Sequence, residues 1–298
     1  MAYEEKACAG QIVDVLSHGD LQITVARLGA ELISLRKGGA GFLYRDGDLS
    51  APASGWKNHA TVMGYYVHRL KNESTLYRGE EIRGGTHSFL RHKTFPAPKV
   101  TAEALTYTLT EADIAAEEYP LPVNFQITYR LSGDMLMVEF RLENQAPDLE
   151  AHVSFGLHPG FACGAMEQGE VLFLAGRYRR HLAPDNFLSG QTEELDLPAG
   201  PMPFSKKDLP ESFLLEPVGV APVLCFVDQA SGRRVELDFS QAPYFTLWSD
   251  GGPFLCVEPC WGLPDHHEQR PFEKKLGIQV IPPKGVLEKS FSMRPLLS

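Results

Sequence analysis

The sequence lacks an apolar run long enough to cross a bilayer. Its longest, such as Val218 to Val227, fall well short of a spanning helix. It has no G-x-G-x-x-G or Walker-type glycine loop, so nothing in it cradles a nucleotide phosphate. It has no H-E-x-x-H, and neither Ser88 nor Ser154 sits in the G-x-S-x-G setting of a hydrolase nucleophile. Basic residues are few, 28 Lys and Arg against 38 Asp and Glu. The net charge of -10 argues against a nucleic-acid backbone as partner. Cysteine is scarce and odd in number, at positions 8, 163, 225, 256 and 260, with no C-x-x-C pair. A disulfide framework is therefore not expected, and the cytoplasm is the expected compartment. Residues 1–10, MAYEEKACAG, hold no apolar stretch of the kind a secretory leader needs. No membrane partner is expected, and nothing favours a monomer over a homodimer.

Helical periodicity is also missing, and strands fill the space. With 298 residues and 43% hydrophobic content the chain can build a large core. Its 27 glycines and 22 prolines suit many turns. Gln11 to Leu16 and Leu21 to Ala26 read as strands around the turn His18–Gly19–Asp20. Residues 52–57 read as loop. Leu105 to Thr110, Phe125 to Leu131, Met135 to Glu143 and His152 to His158 alternate as antiparallel strands do. The last third adds Pro222 to Asp228, Arg233 to Phe239, Tyr244 to Trp248, Gly277 to Ile281 and Leu287 to Met293. A hairpin turn is expected over Asp228 to Gly232. With no linker in sight, one all-β domain over residues 1–298 is expected. Two large sheets should pack face to face, with the termini on neighbouring strands.

Two stretches carry chemistry. In FLCVEPCWGLPDHH, Phe254 to His267, a strand brings Phe254, Cys256 and Glu258 to one face and is expected to end at Pro259. A carboxylate closing an apolar strand needs a partner or a job; otherwise Glu258 sits on a loop and touches solvent. Trp261 follows as a candidate aromatic platform. In His152 to His158 one face is Val153, Phe155 and Leu157. The other, His152, Ser154, Gly156 and His158, is small and polar, as a cleft floor would be, and Pro159 is expected to end the strand. An imidazole and a carboxylate facing one cleft are the minimum for paired proton transfer. His158 could equally be a hydrogen-bonded core histidine. Asn58 to Arg69 and Arg78 to His92 crowd aromatic and polar side chains around Gly84–Gly85. If the first is a strand, Tyr65, Val67 and Arg69 share a face. Cys256, Cys260, His266 and His267 follow no standard zinc spacing, and no metal is expected.

SFGLHPGF at Ser154 to Phe161 and FLCVEPCWGLPD at Phe254 to Asp265 resemble the two active-site signatures of the aldose 1-epimerase, or galactose mutarotase-like, family. Val67–His68–Arg69–Leu70 and His87–Ser88–Phe89–Leu90–Arg91 resemble its LacX-like branch, with His68, Tyr66 and Ser88 departing from the pattern. The resemblance implies a supersandwich of large antiparallel sheets and a sugar in a groove on one sheet. It implies interconversion of α and β anomers at C1 without a cofactor. It matches His158 to the catalytic acid and Glu258 to the base. Arg69, His87 and Arg91 match groups that hold the sugar. A pyranose ring is expected between His158 and Glu258. Three readings remain: a mutarotase for a free aldose, one for a charged or phosphorylated sugar served by Arg69, Arg91, Arg177, Arg179 or Arg180, and a non-catalytic carbohydrate-binding protein.

Overall fold

The structure, a computed structural model, describes residues 2–50, 52, 54–202 and 206–298. Of the loop expected over 52–57, residue 53 lies outside these. Among the described residues there is no α-helix, only short 3₁₀ turns, and no helix is long and apolar enough to cross a membrane.

Antiparallel strands form two large sheets, of nine and eight strands. The strands Val123–Ser132, Met135–Asn144 and Val286–Leu296 take up the middle of the larger sheet. Burial alternates along Met135–Asn144, so Leu136, Val138, Phe140 and Leu142 point into the core. The eight-stranded sheet sets Tyr244–Trp248, Phe254–Trp261, Ala151–Ala162 and Ala60–Tyr65 side by side. The two sheets meet through aromatic rings. Phe140 lies 5.2 Å from Phe155 and 5.6 Å from Trp261, and Phe161 lies 5.2 Å from Phe226. The hairpin expected at Asp228 to Gly232 joins Val223–Asp228 to Arg234–Asp238.

The first strands do not join these sheets. Residues 2–41 form a five-stranded meander of their own. The strand Ala2–Cys8 pairs only with Gln11–His18. The last strand, Val286–Leu296, lies between Met135–Asn144 and Arg234–Asp238. The termini are therefore not on neighbouring strands. Tight turns let each early strand pair with the next, so the meander closes locally.

Neither proline ends its strand. Ala151–Ala162 runs through Pro159, and Phe254–Trp261 through Pro259. These two strands pair as Gly156↔Cys260 and again as Gly160↔Cys256, with one register held across the gap. Both prolines lie within that gap. A proline has no amide hydrogen to donate, so the ladder between these two strands is interrupted there.

Candidate active site

The register across the gap sets His158 directly opposite Glu258 on adjacent strands. Opposed side chains on one face of a sheet have their Cβ atoms about 5 Å apart. Here His158 Nε2 and Glu258 Oε1 come within 3.2 Å. Thr246 stands opposite Glu258 and Thr61 opposite His158, so one row crosses the sheet face turned away from the core. Two glycines flank His158 on that face. A Cβ on Gly160 would lie 2.4 Å from the Trp56 ring, and one on Gly156 would lie 2.4 Å from the Pro259 carbonyl. Gly160 thus lets the indole of Trp56 settle against the sheet beside the imidazole.

Both members of the pair are buried. Burial pushes the Glu258 carboxyl well above its ordinary value. It drives His158 down to about 3, with His68 and Arg91 adding to the effect. Burial disfavours the charged form of each group, which favours a neutral pair across the 3.2 Å contact of Nε2 with Oε1. Among the described residues Glu258 Oε2 and His158 Nδ1 have no hydrogen-bond partner, although both are buried. Buried polar atoms are nearly always satisfied, so two bare ones in one pair mark a place where something else binds.

Loops raise the walls of a cleft of about 310 Å³ over this pair. His68 and His87 hold each other. The His87 amide donates to the His68 carbonyl at 2.7 Å, and the His68 amide donates to His87 Nδ1 at 3.1 Å. Both histidines and Ser88 take left-handed φ values of 56° to 65°, a conformation that L side chains adopt at a cost. Burial holds His87 well below its ordinary pKa, so the ring is neutral. Its proton is then on Nε2, because Nδ1 accepts. Arg69 is exposed and Arg91 half-buried, and both line the cleft. With the Asn58 amide turned so that its oxygen meets donors, it accepts from Trp56 Nε1 at 3.3 Å and from Arg91 at 3.1 Å. The strand Ala60–Tyr65 stops short of Arg69, so Tyr65, Val67 and Arg69 do not share a strand face. Tyr65 is a core residue, and the chain turns at His68 before Arg69 reaches the surface.

The profile of the aldose 1-epimerase family matches residues 14–291. The chain belongs to the aldose 1-epimerase family. Among solved structures it is similar to a galactose mutarotase related enzyme from Lactobacillus acidophilus. The two are 22% identical, with a TM-score of 0.85 over 95% of this chain and 97% of that one. A galactose mutarotase-like protein from Lactobacillus casei gives a TM-score of 0.84 at 20% identity, over 95% of this chain and 100% of that one. A galactose 1-epimerase from Lactobacillus acidophilus NCFM gives 0.73 at 11% identity, over 100% of this chain and 98% of the other. No curated protein matches the sequence. At these identities the likeness shows the fold, a supersandwich of large antiparallel sheets.

Five of the six side chains singled out in the sequence line one cleft in this family member: Arg69, His87, Arg91, His158 and Glu258. Trp261 does not. It is fully buried, stacks on Phe155 at 5.1 Å, and donates from Nε1 to the Gln241 carbonyl at 2.7 Å. The reason is parity. The strand continues past Pro259, and three residues beyond Glu258 is the opposite face. The aromatic walls are instead Trp56, 5.0 Å from the His158 ring, and Trp248, 5.6 Å from it. Trp248 has a signal in the sequence, since it lies two residues from Thr246 on the same strand face. Trp56 has only Gly160, the missing side chain that admits it.

Arg177, Arg179 and Arg180 lie on the strand Gly176–His181, pair with Asp196, Glu194 and Glu193, and do not line the cleft. Asn186 and Ser212, which no motif in the sequence marks, form its far wall, with the Ser212 hydroxyl donating to Asn186 Oδ1 at 3.3 Å. Among the described residues His266 and His267 join no group able to hold a metal ion. The histidines near Cys256, Cys260 and Glu258 are His158 and His68.

Proposed function

We propose that the protein is an aldose 1-epimerase that interconverts the α and β anomers of a free aldose by acid–base ring opening and reclosure. The observation that carries this reading is the 3.2 Å contact between His158 and Glu258 at the floor of a cleft. The two oxygens that exchange protons in anomer interconversion, O1 and O5, are bonded to the same carbon. An acid and a base that touch each other serve them better than a pair separated by the width of a sugar ring, and the sugar lies over the pair rather than between its members.

The neutral pair carries the one proton that the reaction needs. Shifting it from Glu258 to His158 gives a carboxylate and an imidazolium, a form that polar sugar atoms in the cleft favour over the empty dry state. Glu258 takes the proton from the C1 hydroxyl. The C1–O5 bond breaks with its electrons on O5, which takes a proton from His158, and C1 becomes an aldehyde carbonyl. Rotation about C1–C2 presents the other face. O5 then attacks C1 and returns its proton to His158, while the carbonyl oxygen takes the proton held by Glu258. The Nε2–H of His87 and the guanidinium of Arg69 supply donors to hydroxyls, and Trp56 and Trp248 offer apolar faces. This reading treats residues 1–298 as one domain.

The experiment is the rate at which a pure α anomer equilibrates, followed by polarimetry and corrected for the spontaneous reaction. A panel of neutral aldoses on which the parent shows no acceleration would remove this reading. One observation favours a second one: two arginines, Arg69 and Arg91, line the same cleft. Such a pair suits an anionic sugar. Phosphorylated and uronic sugars belong in the panel, and a preference for them that disappears in R91A would select that reading.

A further inference from the structure

We propose that Cys256 joins His158 and Glu258 to form a binding site for a thiophilic divalent cation, Zn²⁺ or Cd²⁺, whose occupancy stops proton transfer. Metal-free proton transfer leaves Cys256 without a role. It sits two residues before Glu258 on the same strand face, fully buried. A Cβ on Gly160 would stand 3.4 Å from its sulfur, so the thiol shares the pocket floor with the imidazole beside that glycine. Ligand atoms of His158, Cys256 and Glu258 all lie within 4.8 Å of one another. A tetrahedral zinc with one sulfur and two lighter ligands has edges of roughly 3.3–3.6 Å, so closure asks for side-chain rotation of about an ångström.

The second observation is the bare carboxylate oxygen. Among the described residues Glu258 Oε2 is buried with no hydrogen-bond partner. Imidazole, thiolate and carboxylate suit zinc and its softer congener and match neither magnesium nor calcium. The fourth position faces the cleft, because His158 and Glu258 line it. An ion entering there meets three ligands and keeps one water. Binding displaces a proton from the thiol and one from the carboxyl, and the metal–sulfur and metal–oxygen bonds take their place. His68, Glu258 and Cys260 form a competing group. In it the Cys260 sulfur and the His68 ring are already engaged with Thr246.

The test is titration of the metal-free protein with Cd²⁺, reading the ultraviolet thiolate-to-metal charge-transfer band. One equivalent should saturate it, with the intensity of a single thiolate. C256S, close in size to the parent, should lose the band and bind Cd²⁺ more weakly by on the order of tenfold or more. C260S should keep both. The parent titration stands by itself should C256S fail to fold: no band, or the intensity of two thiolates, overturns the proposal. So does a band that survives in C256S and vanishes in C260S. The inhibitory half rests on the function proposed above: Zn²⁺ should abolish anomer equilibration and a chelator restore it. A band in a protein that accelerates no sugar sinks that function and leaves the metal site standing; catalysis unaffected by Zn²⁺ at saturating occupancy sinks the inhibition.

Discussion

The backbone amide of His68 donates to Nδ1 of His87, and the His87 amide donates back to the His68 carbonyl. This reciprocal contact fixes the His87 tautomer, so Nε2–H is the donor left for a ligand. H87Q, whose amide nitrogen reaches a position close to Nε2, should keep more activity than H87N, whose nitrogen reaches only toward Nδ1. We expect H87N to lose about tenfold in kcat/KM, the value of one good hydrogen bond. Equal kinetics in the two variants would place His87 outside the sugar contacts.

Glu258→Gln keeps the shape of a protonated carboxyl and removes the base. Turnover of the preferred sugar should fall on the order of 10²-fold or more. Its stability should move the other way with pH. The folded-state pKa of Glu258 is raised, so the stability it contributes is present below the ordinary 4.5 and lost as pH rises from there. E258Q escapes this loss and should gain on the parent in denaturant titrations as pH rises above 4.5 toward the raised value. A stability difference between E258Q and parent that does not change with pH would show that Glu258 is ionised in the folded protein.

On the proposed mechanism, activity requires the pair to hold one proton. The second proton is taken only near the depressed value of His158, about 3, and the last is lost only at the raised value of Glu258. The acid limb of kcat/KM should therefore lie well below the ordinary histidine range. An acid limb with its midpoint near the ordinary 6.5 would mean that His158 titrates like a solvated imidazole.

Acid should unfold the protein through the same site. His68 and His158 have folded-state values lowered to about 4 and about 3, from an ordinary 6.5. Their contribution to stability is complete above 6.5 and drains away as pH falls toward those lower values, because the unfolded chain takes protons that the folded one refuses. H68N should show a shallower loss of Tm between pH 6.5 and about 4 than the parent. Identical slopes would contradict burial of a neutral His68.

The three tryptophans should separate into two classes. W261A opens the core between the two sheets and should cost roughly 3–5 kcal/mol of stability. W248A and W56A, on half-buried rings at the cleft wall, should cost far less stability and raise KM. If W261A unfolds no more easily than W248A in urea, the assignment of faces is wrong.

Much of this is legible in the chain. Alternation along Met135 to Glu143 tells strand and face together, because a half-buried strand prints its burial at period two. His158 and Glu258 stand out because a strand with one apolar and one small polar face has few uses. Trp261 misleads because Pro259 looks like a terminus. A proline lacks a donor and so argues for a strand end, but here each stays paired on its outer side, Pro159 with Ala60 and Pro259 with Phe245. The register Gly156↔Cys260 is not written in either segment alone, so only the folded sheet brings the imidazole and the carboxylate face to face. Trp56 arrives from a loop about 100 residues earlier in the chain, and only tertiary packing brings it to Gly160.

The register that opposes His158 to Glu258 has a consequence for how the site can vary. A one-residue slip of either central strand would turn His158 or Glu258 into the core. The reacting pair therefore rides on the least adjustable part of the fold. Arg69, His87, Arg91, Asn186 and Ser212 ride on loops, which can lengthen, shorten or change sequence without disturbing a sheet. On the proposed function, chemistry and choice of sugar are thus carried by separable pieces of the chain. Grafting the loop segments 66–69, 84–92 and 183–190 from a relative with another substrate should transfer preference while leaving the proton-transfer step where it is.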